Sequence, residues 1–446
     1  MSTRVQSLDV VRGLAVAGMV IVEQTVGPPQ SYPALRHASW FGWTAADLVF
    51  PAFLVVVGAS LAFSLHRPPT WALGRRLVKR AIALLVVGVL FNAWSGDGAS
   101  FDHLRLPGVL QRIAIVGLVA AVIVLLARHW WAILVVAVAL LAIYGAVLTS
   151  GHTACGRGVL SPHCSVASSI DQHVFGDAHM YQSGFYGYDP EGLLSTVGAV
   201  ATVLFGYLAG LLVRLRPRAP RTAAELGGVA LALWVASGLL WQGTPISKKL
   251  WTPPFALFTA AVTIAVFAVA YLLVDVLPRP RWSAVAAAVA AWPWAVLGRN
   301  ALVVYVGQHL LGATLDATMV HTRQGLMSLN TAFTGHVLTH WWSGEQLFVA
   351  HALVILAAFW IIAAVMLVSA AAVTVFRLLA GPGTLDRLVA LDTFVAVTMC
   401  GIGTWAAYSL DTTATYSLTA LALISFVGSV SVARFRVRDT DREPPQ

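Results

Sequence analysis

Three ionisable side chains near the start of the chain have the types and spacing for group transfer: Glu23, His37 and Asp47. An imidazole with an ordinary pKa near about 6.5 can take a proton as a general base or carry an acyl group as a nucleophile. The two carboxylates either share that chemistry or serve as structural partners for Arg12 or Arg36. Arg12 and Glu23 lie eleven residues apart. On a helix that spacing ends about 20° past three full turns and about 16 Å along the axis, so both share one face. A polar stripe running from one half of a helix to the other suits a group passed across a bilayer. Charges within apolar segments are costly and usually face a cavity or a partner.

The elements that must hold these residues are membrane helices. The chain is 58% hydrophobic and only 11% charged over 446 residues, too apolar for a water-soluble domain. Its formal charge of +9 does not point to nucleic acid, because the basic residues sit in short clusters between apolar runs. About 20 apolar residues cross a bilayer. Spans are expected near 9–27, 44–66, 74–93, 107–127, 129–149, 191–213, 223–241, 255–277, 285–314, 349–379, 388–409 and 413–434. The fold class is therefore all-α, a polytopic bundle of about twelve spans, with run 285–314 bent or re-entrant at Pro293. No cleavable signal is expected, since the first apolar run continues into a span. Arginine clusters at 67–80, 214–221, 279–281, 377–387 and 434–438 alternate with loops poor in basic residues at 28–43, 94–106, 150–190, 242–254 and 315–348. That asymmetry places both termini in the cytoplasm, in a multi-pass protein of the inner (plasma) membrane. Trp40, Trp43, Trp94, Trp241, Trp251, Trp341 and Trp342 then form an aromatic belt on the outer side. Cys155 and Cys164 share an outer loop, where a disulfide can persist.

Other polar groups have competing readings. Gln111 and Arg112 either hold a phosphate or amide of a CoA donor or fasten a buried helix start. The Arg75, Arg76, Lys79 and Arg80 cluster could attract phosphates, although topology alone accounts for it. Asp189-Pro190-Glu191 reads as a helix start, with Asp189 the N-cap, or as the lining of an acceptor entrance with Glu191. Lys248 and Lys249 are unusual outer-side lysines, suited to recognising an anionic acceptor. Asn300 and His309 read as helix–helix hydrogen-bonding groups. No metal is expected.

The run Arg36-His37-Ala38-Ser39-Trp40-Phe41-Gly42, followed by Asp47-Leu48-Val49-Phe50-Pro51, resembles the heparan-α-glucosaminide N-acetyltransferase family around its catalytic histidine. The similarity continues through Pro107-Gly108-Val109-Leu110-Gln111-Arg112, Asp177-Ala178-His179-Met180-Tyr181, Tyr188-Asp189-Pro190-Glu191-Gly192, Lys248-Lys249-Leu250-Trp251 and Asn300-Ala301-Leu302-Val303-Val304-Tyr305. The resemblance implies an acetyl-CoA-dependent transmembrane acyltransferase with His37 as its acyl-transfer histidine. Its acceptor would be a glucosamine-like sugar or envelope glycan on the far side of the bilayer. Glu23 departs from the family, whose human-type members carry asparagine there.

A second module follows. Arg377-Leu378-Leu379-Ala380-Gly381-Pro382-Gly383, then Asp386-Arg387-Leu388-Val389-Ala390-Leu391-Asp392, resembles the F subunit of Mrp-type multisubunit cation/proton antiporters. The expected domains are 1–370 for the acyltransferase and 352–446 for a three-helix F-like module sharing the helix near 349–379. The resemblance makes Asp386 and Asp392 candidates for an ion path, and other antiporter subunits its partners. Asp392 would lie about 12 Å into its helix, and Asp386 in the first turn, where it favours the helix dipole. Oligomeric state, a homo-oligomer included, is open from the sequence.

Overall fold

Prolines and small polar residues mark where the chain turns into helix, and apolar runs carry it on. The computed structural model describes residues 5–23, 32–65, 70–95, 101–127, 129–181, 187–277, 281–322, 325–347, 349–357, 372, 375 and 376. Among them the helices are α1 (Gln6–Glu23), α2 (Ala45–Ser64), α3 (Trp71–Ser95), α4 (Val109–Ala127), α5 (Trp130–Ser150), α6 (Val166–Phe175), α7 (Ser195–Leu215), α8 (Pro220–Trp241), α9 (Pro253–Tyr271), α10 (Arg281–Arg299), α11 (Ala301–Ala317) and α12 (Leu329–His336). Two short antiparallel hairpins accompany them: β1 (His152–Thr153) with β2 (Gly156–Arg157), and β3 (Met319–Thr322) with β4 (Gly325–Ser328). Pro220 opens α8 and Pro253-Pro254 opens α9, at the first-turn position where a missing N–H is harmless. Seven helices among the described residues are long and apolar enough to cross a membrane: α2–α5, α7, α8, and α9 with its π-helical extension to Val276.

The chain forms two compact units, 1–278 with 293–355, and 279–292 with 356–446. Asp386 and Asp392 fall outside the described residues, as do the spans expected near 388–409 and 413–434. In the 285–314 run the helix breaks at Asn300, between α10 and α11, and Pro293 lies inside α10. Asn300 adopts φ −104°, ψ 21°, off the helical path, and its side chain bonds back to Val296 O at 3.0 Å.

The centre of the first unit is the packing of α2 against α7. A methyl group on Gly58 would collide with the Val203 carbonyl, one on Gly206 with Val55 O, and one on Gly210 with the Ala59 backbone. Glycines on both helices let the backbones touch, the usual basis of close helix association where lipid supplies no hydrophobic drive. α1 is anchored differently. Asp275, on the π-helical turn after α9, accepts the Gln6 amide at 3.1 Å and the Ser7 amide at 3.0 Å, satisfying two orphan donors of the first turn. Gly13 and Gly298 in turn allow α1 and the end of α10 to meet backbone to backbone.

Two expectations about surface position need correction. Trp40 and Trp251 are buried, not part of an interfacial belt, because both rings pack into the core beside the candidate site. Trp43, Trp94, Trp241, Trp341 and Trp342 are exposed. Cys155 and Cys164 are joined in a disulfide, Cα–Cα 5.6 Å, next to the β1–β2 hairpin.

Candidate active site

Two loops distant in sequence are zipped together to make the site. Gly42 N donates to Ile246 O at 2.8 Å, Ser247 Oγ to Trp40 O at 2.8 Å, and Trp40 Nε1 to Leu160 O at 2.6 Å. The second loop is a tight turn in which Ser247 N bonds Thr252 Oγ1 at 3.0 Å and Trp251 N bonds Lys248 O at 3.1 Å. Trp251 takes φ 51°, a strained value for a bulky residue. It is held there by Thr202 Oγ1 at 3.1 Å from its indole nitrogen, and by edge contacts with Phe50 and Phe255. A side chain at Gly198 would strike this tryptophan. The turn thereby presents Lys248 toward His37 and Lys249 toward the Ser39 carbonyl.

Asp47 divides its two oxygens between the start of α2 and His37. It sits in the first turn of α2, where Oδ2 accepts the Thr44 amide at 3.1 Å, the Thr44 hydroxyl at 3.2 Å and the Ala38 amide at 3.1 Å. Oδ1 remains for His37 Nδ1 at 2.8 Å and Lys248 Nζ at 3.5 Å. An ionised carboxylate only accepts, so Nδ1 carries the proton and the lone pair falls on Nε2. Lys248 Nζ lies 3.1 Å from Nδ1 and 3.3 Å from Nε2. Burial lowers the pKa of Lys248, against the pull of Asp47 and Glu191. The same cause lowers Lys249, whose ammonium bonds Ser39 O and faces the Trp40 and Tyr188 rings at 5.8 and 5.4 Å.

Glu23 faces the same space from α1, with partners other than the arginines expected. Its Oε2 lies 2.8 Å from His309 Nε2 and 2.8 Å from Gln308 Nε2, so α1 and α11 are joined here. Below the loop, Arg105 bonds Asp189 at 2.8 and 3.0 Å and Glu191 at 2.6 Å, and lies over the Tyr181 ring at 4.8 Å. Burial would lower the Arg105 pKa, but these two carboxylates outweigh it and raise it. Burial raises Asp189, whereas Glu191 is lowered despite burial because Arg105, Arg112 and Lys248 surround it. Asp189 is not the N-cap of α7, which starts at Ser195; it caps its own turn through Glu191 N at 2.8 Å. Arg105 was not singled out in the sequence, although an arginine in an outer loop poor in basic residues is itself a signal.

His37, Glu23, Asp47, Glu191, Lys248, Lys249, Tyr181 and Tyr188 line one cavity of about 280 Å³. A second cavity, about 510 Å³, is lined by Arg12, Arg80 and Arg299 at one end and by Phe53, Val57, Leu84 and Val87 along its walls. Met19 and Val109 line both. Arg12 reaches Ser60 Oγ at 2.8 Å and Gly298 O at 3.4 Å, while Asp9 pairs with Arg12 at 3.5 Å and Arg299 at 3.7 Å. Gln111 and Arg112 line neither cavity. Arg112 is fully buried, donating to Gly192 O at 3.1 Å and to Ser195 Oγ under the Trp251 ring, so it fastens the 189–195 loop to α4.

Residues 4–163 match the family model for heparan-alpha-glucosaminide N-acetyltransferase, catalytic. The chain is similar to that family. Heparan-alpha-glucosaminide N-acetyltransferase of Mus musculus is 27% identical over 369 residues, 70% of this chain and 54% of that protein. The Homo sapiens enzyme is 28% identical over 69% of this chain and 53% of its own length. The chain spans about half the length of these curated relatives. At the other end, residues 385–436 match the model for multiple resistance and pH regulation protein F. An antiporter subunit, mnhF2, of Staphylococcus haemolyticus is 47% identical there over 60 residues, 14% of this chain and 60% of that protein.

Proposed function

We propose that the chain is a transmembrane acetyltransferase that moves an acetyl group from acetyl-CoA on one face of the membrane to an amine on the other. The acceptor is a glucosamine-like sugar or envelope glycan. The observation that carries this reading is the pair of cavities meeting at Met19 and Val109, one rimmed by arginines and the other holding the His37–Asp47 pair. Arg12, Arg80 and Arg299 suit the phosphates of CoA, and the apolar walls suit the pantetheine arm. In an inner membrane with cytoplasmic termini and about twelve spans, the arginine end faces the cytosol and the histidine end faces outward.

The chemistry follows from the tautomer. The acceptor amine attacks the thioester carbonyl, a C–N bond forms, and His37 Nε2 takes the amine proton. Asp47 holds the ring and stabilises the imidazolium. The Lys248 ammonium lies beside the developing oxyanion. As the intermediate collapses, the C–S bond breaks and its electron pair leaves on sulfur. A route through an acetyl-imidazole uses the same Nε2 lone pair and is told apart by recovering labelled acetyl on protein after an acid quench. Glu191, Lys249, Tyr181 and Tyr188 line the acceptor space, with Asp189 behind them tied to Arg105. Membranes carrying His37→Ala, given labelled acetyl-CoA and glucosamine, should lose transfer by at least about a hundredfold. Undiminished transfer would remove the histidine from the reaction.

A second activity is favoured by the match at 385–436. In this reading the C-terminal module joins other antiporter subunits, with Asp392 and Asp386 on a cation/proton path. Co-purification with such subunits, and loss of salt tolerance on Asp392→Asn, would support it; neither result appearing would leave the module without a transport role.

A further inference from the structure

The acyl-transfer reading above accounts for the amine proton and leaves the departing sulfur without a proton donor. We propose that Glu23 and His309 form that donor, a second histidine–carboxylate pair that protonates the leaving thiolate while His37 acts as base. The inference rests on the acyl-transfer reading, and it adds an acid to it.

Position is the first argument. Met19, which lines both cavities, is four residues before Glu23 on α1, so the carboxyl stands one turn beyond the junction on the same helix face. Tyr305, which lines the arginine-rimmed cavity, is four residues before His309 on α11. Both helices therefore set the pair one turn beyond residues that line the arginine-bearing cavity, with Glu23 lining the histidine cavity and His309 behind it. His309 is packed edge-on against Phe91 and Tyr305, with ring centroids 4.8 Å away in each case, so its ring is fixed.

Proton content is the second. An ionised carboxylate and an imidazole lone pair repel, so the 2.8 Å contact between Glu23 Oε2 and His309 Nε2 requires a proton between them. His309 Nδ1 faces the Tyr305 carbonyl at 2.9 Å and the Gln308 amide at 2.5 Å. The carbonyl calls for a hydrogen on Nδ1 and the amide NH2 for a lone pair there; with either, the proton shared with Glu23 is carried at Nε2. Gln308 Nε2, 2.8 Å from the same Glu23 oxygen, holds the carboxyl after the proton has gone. Titratable groups that face the pair are Tyr305 from its own helix and Lys248 from the turn before α9, while Glu191 from the loop before α7 lines the same cavity as Glu23. His37 and Asp47 share the cavity.

The balance closes. One proton leaves the amine for His37 Nε2, one leaves the Glu23–His309 pair for sulfur, and the products are the amide and the CoA thiol. Water in the histidine cavity then takes the first proton and restores the second. His309 supplies the proton that an ionised Glu23 lacks.

The test is the pH profile of kcat for acetyl transfer from acetyl-CoA in membranes holding the full chain, for the unsubstituted protein, Glu23→Gln and His309→Gln. An essential acid sets the alkaline limb and an essential base the acidic one. Each substitution should lower kcat by about a hundredfold and abolish or displace the alkaline limb, leaving the acidic limb of His37 in place. A merely structural role would scale the whole profile without moving either limb. That outcome, or an unaltered kcat, would overturn the proposal. Absence of transfer by the unsubstituted protein would instead overturn the parent reading.

Discussion

At the scale of single residues, charge placement within the site follows from which groups each helix end can satisfy. Asp47 uses one oxygen to cap α2 and the other to orient His37, so a single carboxylate couples helix initiation to ring position. Lys248 lies within 3.3 Å of both ring nitrogens, where the proposed acetyl transfer would develop its oxyanion. Lys248→Met should lower kcat about a hundredfold with little change in KM for acetyl-CoA, as expected for a contact made mainly in the transition state. A rise in KM alone would make Lys248 a substrate-binding residue only. Asp171 offers a separate test away from the chemistry. Burial raises its pKa to about 7 although it accepts the Leu193 amide at 2.7 Å. A folded-state pKa above the ordinary aspartate value of 3.8 means the folded protein holds the extra proton between these values, so stability falls as pH rises from about 4 through about 7. Melting of the purified protein at pH 5 and pH 8 should show that loss, and Asp171→Asn should reduce it; equal pH dependence in both would contradict the assignment. His37 and Asp47 were legible because they lie ten residues apart in one recognisable run. Their meeting with Lys248, across 211 residues, was not, because only the folded turn at 247–252 points that side chain inward.

At the scale of elements, glycine decides which helices touch. Gly206→Val should destabilise the bundle by about 3 kcal/mol or more, since the new side chain meets the α2 backbone, which cannot yield as a flexible side chain could. Thermal unfolding in detergent measures this, and an unchanged Tm would show that α2 and α7 are not packed as described. The long apolar runs announced α2–α5 and α7–α9 in the sequence, because each hydrophobic stretch matches a bilayer thickness. The break between α10 and α11 was placed at Pro293, whereas it falls at Asn300. Pro293 stands well inside α10, where it removes one backbone donor without ending the helix, while Asn300 leaves the helical path and turns its amide back on the Val296 carbonyl. Arg105 went unnoticed for a related reason: its value lies in holding the Asp189 and Glu191 carboxylates together, a three-way contact across 84 and 86 residues.

At the scale of the whole molecule, the account depends on two cavities sharing Met19 and Val109, one rich in arginine and the other holding His37. On the proposed reading, this sharing would let a donor and an acceptor react without either crossing the bilayer. The direct measurement uses sealed proteoliposomes with labelled acetyl-CoA on the arginine side and glucosamine on the histidine side. The account predicts N-acetylglucosamine label only in the acceptor compartment, with CoA thiol appearing on the donor side and both lost in His37→Ala. Acetylation that proceeds only when donor and acceptor share one compartment would contradict it.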